Sequence, residues 1–148
     1  MNELRGRTRT ATIAVASLVG VGALYGGWGL LTDAERLGAR KSWLDGSPFP
    51  NFIIPGLVLG IVIGGGMLAT AAMAARRSRL AGVAAFVMGA TLLAWGLTET
   101  LTIGYRGAAQ VVLITFFVLG PALLLLGVGW RAGLRLLLRS HPQHRYRL

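Results

Sequence analysis

Four apolar runs decide what this chain can fold into. They cover about 11–31, 52–75, 80–101 and 110–130. Each has roughly 20 residues, and an α-helix of that length crosses a hydrocarbon layer about 30 Å thick. Charged residues make up 14% of the chain, against about 25% in an ordinary soluble domain, and they gather between the runs. Mean hydropathy is +0.64. This pattern predicts an all-α, polytopic membrane protein: a four-transmembrane-helix bundle forming a single domain over 1–148, with an outer loop at 32–51 and a basic tail at 131–148. The first run follows Arg5, Arg7 and Arg9, as a secretory leader would. It is longer than the usual h-region of about 7–15 residues, and no small-residue cleavage site follows it. We expect it to be retained as a helix.

Orientation follows from the basic residues. Four crossings put Arg5, Arg7, Arg9, Arg76, Arg77, Arg79, Arg131, Arg135, Arg139, Arg145 and Arg147 on one side. Only Arg36, Arg40, Lys41 and Arg106 fall on the other. Positive charge accumulates in cytoplasmic loops, so both termini are expected in the cytoplasm and the protein in the plasma membrane. A net charge of +10 would suggest nucleic acid in a soluble protein; here topology accounts for it, and nucleic acid is not expected as a partner. On a continuing helix, Arg131, Arg135 and Arg139 would stack on one face. Juxtamembrane arginines attract anionic headgroups at about 1 kcal/mol each. Ordinary anchoring and a specific anionic-lipid or acidic-protein site both fit that cluster.

The connections differ in kind. Residues 76–79 are a minimal turn, so the second and third helices should be antiparallel neighbours. The 102–109 link is also short. The 32–51 loop has room for structure. Thr32-Asp33-Ala34-Glu35 reads as a capping box, and Ala34, Leu37, Lys41 and Leu44 follow at helical spacing beside Trp43. A short amphipathic helix is expected there, at the outer interface. Asp45-Gly46-Ser47-Pro48-Phe49-Pro50 would end it. Asn51 suits an N-cap for the second membrane helix, with Pro55 in its first turn.

In lipid, helices associate through close backbone approach and hydrogen bonds. Gly56, Gly60 and Gly64 lie four apart. Ala16, Gly20, Gly22 and Gly26 offer small residues on the first helix, and Ala85, Gly89 and Gly96 on the third. These tracks fit packing within one bundle; the Gly56/Gly60/Gly64 face also fits a homo-oligomer. Gly120-Pro121, midway through the fourth run, favours a bend.

Glu99 is the one acid inside an apolar run. Counted from Leu80, it lies about 28 Å along a helix, near the outer edge of the hydrocarbon and not at its centre. Trp95 is one turn below it, Thr98 and Thr100 flank it, and Arg106 and Gln110 follow. Arg106, Arg40 or Lys41 would be in range to pair with it. The outer-side cluster is therefore Ser47, Pro48, Phe49, Asn51, Trp95, Glu99, Arg106 and Gln110. It fits either an acid that fastens the outer loops to the bundle or a ligand, proton or cation site under the first loop.

Chemistry is constrained mainly by what is missing. The chain has no cysteine, which removes thiolate catalysis, iron–sulfur ligation and cysteine-bound zinc. Both histidines, His141 and His144, lie in the tail, so no metal or haem site is expected within the bundle. No recognisable nucleophile, base or metal set converges. An enzyme is not expected, and no cofactor is implied.

The stretches "LDGSPFPNFIIPG" (44–56), "GMLATAAMAARR", "GATLLAWGLTET" and "FFVLG" resemble small bacterial four-helix membrane proteins with a Ser-Pro-Phe…Pro-Gly signature between their first two membrane helices, a group without an assigned activity. Gly46, Ser47, Pro48, Phe49, Pro55 and Gly56 match that signature. Asn51-Phe52 stands where an Asp-Tyr pair is common, and Glu99 where glutamine is common. The resemblance implies four helices and a functionally important loop, and no reaction. The expected function is an accessory, binding or structural membrane component, with a membrane protein or a second copy as partner. The alternatives are a small oligomeric transporter or channel, and a lipid or quinone binder using Trp28, Trp43, Phe49 and Trp95 near the outer leaflet.

Overall fold

The computed structural model describes residues 2–103 and 115–129. Arg106, Gln110, Arg131, Arg135 and Arg139, the 102–109 link beyond Ile103 and the basic tail lie outside the described residues. Within them the chain is helical and no strand forms. Helix α1 runs Asn2–Thr32, α2 runs Ile53–Ala75, α3 runs Ala81–Ile103 and α4 runs Thr115–Gly129. Three segments, Gly6–Thr32, Ile53–Ala75 and Ala81–Leu101, are long and apolar enough to cross a membrane.

α1 starts well before the apolar run expected at 11–31. Nothing in residues 2–10 stops a helix: there is no proline, and the one glycine is Gly6. The 31 residues measure about 46 Å, so α1 exceeds a ~30 Å hydrocarbon layer by several turns.

α2 changes its winding midway. Ile53–Leu57 is α-helical, Val58–Gly65 is π-helical, and Gly66–Ala75 is α-helical again. π-helical geometry is rare and weakly bonded, so an outside contact must favour it. Here that contact is α1, against which the π segment packs. Gly60 and Gly64 are buried there, and glycine has little intrinsic preference for regular α geometry.

The helices pair as two antiparallel hairpins. In the first, a Cβ built on Gly27 of α1 would lie 2.6 Å from the Gly60 nitrogen and 2.7 Å from the Gly56 oxygen. Lower down, Gly20 and Gly64 meet in the same way. The Gly56/Gly60/Gly64 face is therefore occupied by α1. In the second hairpin, a Cβ on Gly89 of α3 would lie 2.7 Å from the Gly120 oxygen of α4. α4 is helical on both sides of Gly120-Pro121. The fully buried side chains include Ile63, Met67, Leu92 and Leu123, and Met67, Met88 and Leu92 join the two hairpins into one core.

The amphipathic helix expected over 34–44 is replaced by two short turns. Asp33, not Thr32, supplies the cap: its Oδ1 accepts the Arg36 N–H at 3.1 Å, while the Thr32 hydroxyl donates to the Trp28 carbonyl. Gly38 then takes a left-handed φ of 77°. Its N–H donates to Glu35 O and the Ala39 N–H to Ala34 O, the bond pair that ends a helix at such a residue. One turn is all that fits before that stop. A 3-10 turn at Lys41–Trp43 follows. The minimal 76–79 turn ends α2 by the same bond pair, with Arg77 at φ 57° where glycine is usual.

Candidate ligand-binding cavity

The loop over 33–52 folds back onto the adjoining ends of α1, α2 and α3 and roofs a cavity of about 340 Å³. That is near the lower end of the ~300–1,000 Å³ typical of small-molecule sites. α1 supplies one wall with Gly22, Tyr25, Gly26 and Leu30. α2 forms the back with Pro55 and Leu59, and α3 the opposite wall with Trp95, Thr98 and Glu99. Trp43, Leu44, Ser47 and Phe49 come from the loop, and Phe52 from its junction with α2.

Two glycine-led features shape the roof. Gly46 at φ 82° sits third in the turn closed by Ser47 N–H to Leu44 O at 2.9 Å, a position where a type II turn needs positive φ. The chain then reverses through Ser47, whose Oγ accepts the Phe49 N–H at 3.2 Å. Phe49 is thereby turned toward the cavity, half-buried. On the floor side, Gly22 has no atom within 4 Å of a built Cβ. This glycine leaves space beside α1 instead of packing against a helix.

The polar focus is on α3. Trp95 and Glu99 are four residues apart and so share a helix face. The indole Nε1–H of Trp95 donates to Glu99 Oε1 at 3.0 Å, which fixes one carboxyl oxygen at the cavity wall. Glu99 stands about 27 Å from the start of α3 at Ala81, level with the loop. The Thr98 hydroxyl donates to the Ala94 carbonyl and the Thr100 hydroxyl to the Gly96 carbonyl. Both threonines thus bond their own helix at this level.

Of the residues singled out from sequence, Ser47, Phe49, Trp95 and Glu99 line this one cavity. Pro48 and Asn51 are exposed and do not line it. Asn51 Oδ1 accepts the Ile53 N–H at 3.1 Å, which supports the start of α2. Arg40 and Lys41 are exposed and are not among the lining residues. Trp28 is 68% exposed and faces away. Sequence reasoning missed Tyr25, Phe52 and Leu59. Tyr25 lies between Gly22 and Gly26; two glycines four apart around an aromatic residue would have been the available signal. No family model, curated protein or solved structure matches the chain, so the loop signature rests on its own residues.

Proposed function

We propose that this chain is a four-span plasma-membrane protein with cytoplasmic termini that binds a small amphiphile in its outer-side cavity, as an accessory or binding component and not as an enzyme. The observation that carries the reading is the convergence of the loop, α1, α2 and α3 on a mostly apolar cavity with one pinned carboxyl at its wall. The membrane setting is supported by the outward-facing Leu18, Trp28, Ile61, Leu101 and Leu125, all at least two-thirds exposed. Side chains of that kind have lipid, not water, as their natural surroundings. The arginine asymmetry supports the orientation. α1 and α3 scarcely touch each other among the described residues, and entry of an amphiphile between them from the outer leaflet is part of this reading.

The binding reading is favoured over the transporter reading by the threonines. A polar path through the bundle needs intramembrane groups that face it. Thr70 Oγ1 donates to Gly66 O at 2.8 Å and Thr91 Oγ1 to Val87 O at 2.9 Å, so the proton of each hydroxyl is committed to its own helix.

Two measurements test this. The chain has no cysteine, so Ser42→Cys and Ser140→Cys can each be labelled without background. In intact cells an impermeant maleimide should modify the first and spare the second; equal labelling of both would refute the four-span orientation. Native mass spectrometry of protein released from mild detergent should find a small bound molecule on the wild type. Gly22→Leu should fill the cavity and lose that molecule while remaining folded, since nothing lies within 4 Å of the added Cβ. Identical spectra for the two proteins would remove the cavity from the functional account.

A further inference from the structure

We infer that the end of the bundle opposite the loop holds the phosphate of an anionic lipid, gripped by Arg9 of α1 and by Arg76, Arg77 and Arg79 at the turn between α2 and α3. This site stands apart from the cavity and shares with the reading above only the membrane setting. Helix register brings the two basic groups together. Gly27 of α1 meets Gly60 of α2, and Gly20 meets Gly64, so the helices run antiparallel. Eleven residues back from Gly20 is Arg9, and eleven on from Gly64 is Ala75. Arg9 therefore stands level with the turn. The apolar segment Gly6–Thr32 begins at that level, Ile53–Ala75 ends there and Ala81–Leu101 begins there. In a bilayer this is headgroup depth, which assigns the phosphate to a lipid and not to a soluble anion.

Arg9 occupies a position made for an apolar residue. Thr12, Ala16, Val19 and Ala23 are buried along one face of α1, and Arg9 continues that stripe at helical spacing. Its Nε is buried and bonds nothing; among the described residues no other buried side-chain nitrogen or oxygen is left so. A buried donor without an acceptor is costly, and here the donor also carries charge. The chain has little to offer that charge. Asp33, Glu35 and Asp45 lie in the loop and Glu99 lines the cavity beneath it, which leaves Glu3 as the one acidic side chain toward this end. An outside anion supplies the missing acceptor and the missing charge together. Arginine presents Nε–H and an Nη–H along one edge, a fork that matches two oxygens of a phosphate. Arg77 adds a second cation from a left-handed φ of 57°, and α3 opens at Ala81 with the positive end of its dipole at the same level.

The test counts bound lipid. The full-length protein in a neutral detergent is titrated with dioleoylphosphatidylglycerol and with dioleoylphosphatidylcholine, and native mass spectrometry reads the occupancy. The wild type should hold one phosphatidylglycerol at least about tenfold more tightly than phosphatidylcholine. Arg7→Leu and Arg9→Leu remove the same charge two residues apart. Arg7 is exposed and off the stripe, so its variant should keep the preference, while Arg9→Leu should lose most of it. Arg77→Gly should lose part of it and fold at least as well, since glycine favours that φ. Arg9→Leu should melt no lower than the wild type without lipid, because leucine suits the stripe. If it melts lower, Arg77→Gly decides, and an unchanged preference there overturns the site. Equal losses for Arg7→Leu and Arg9→Leu, or no preference in the wild type, would mean diffuse attraction to a basic surface and overturn it too. Displacement of the bound phosphatidylglycerol by inorganic phosphate alone would overturn the lipid as the source.

Discussion

Gly27→Ala should destabilise the protein by about 1–3 kcal/mol, the usual cost of forcing an extra methyl into a packed contact. The new Cβ would meet the Gly60 nitrogen at 2.6 Å, the Gly56 oxygen at 2.7 Å and the Gly60 Cα at 2.7 Å. All three are backbone atoms, so no side chain can rotate away. α1 and α2 would have to separate along their length. Alanine's better helix propensity returns only about 0.5–1 kcal/mol. Gly60→Ala makes the informative control. Its Cβ meets only the Gly27 Cα, at 3.7 Å, which is ordinary contact. The two glycines face each other across one seam, yet the variant at 27 should melt roughly 3–10 °C lower in detergent while the variant at 60 holds or gains. Equal melting of both would mean that α1 and α2 do not approach this closely.

Gly89→Ala is expected to cost a similar amount in the second hairpin. Its Cβ would lie 2.7 Å from the Gly120 oxygen, 2.9 Å from the Leu124 nitrogen and 3.1 Å from the Leu123 Cβ. Two of these are again backbone, and Leu123 is fully buried with no room to shift. Gly129→Ala, with nothing within 4 Å, should be neutral. The double variant Gly27→Ala/Gly89→Ala asks a further question. The two seams share no contact atoms, so the losses should add to within about 0.5 kcal/mol. A clearly larger combined loss would show that the hairpins are held as one cooperative unit, against the separate-seam picture.

Much of the helical layout was legible because lipid imposes a simple rule of length and apolarity. The runs at 52–75 and 80–101 appear as helices at Ile53–Ala75 and Ala81–Ile103. The level of Glu99 along its helix, beside the loop, was legible too, since a helix converts residue number into distance. Three things were not. The π winding of Val58–Gly65 leaves no mark in a glycine spacing that α geometry also accommodates; only contact with α1 selects it. The loop helix was misjudged because apolar spacing was weighed above Gly38, whose left-handed φ ends the turn after Leu37. Gly22 and Gly26 read as packing residues; Gly26 does pack, with Leu59 3.2 Å from a built Cβ, while Gly22 meets nothing within 4 Å and only lines the cavity. Small residues on a helix permit either close approach or an opening, and only the neighbour's position decides which.

The two hairpins differ from the joint between them in mechanical character. Within each hairpin, backbone meets backbone at Gly27 and at Gly89, and such contacts have no soft degree of freedom. Between the hairpins, the near contact at Gly66 is the Met88 thioether, whose Sδ and Cε would lie 2.6 and 2.7 Å from an added Cβ. Methionine has three rotatable bonds and adapts its shape at little cost. The joint between the hairpins is thus the more adaptable contact, and the seams within them the less. Substitutions at that joint should therefore be absorbed more readily than substitutions at either glycine seam.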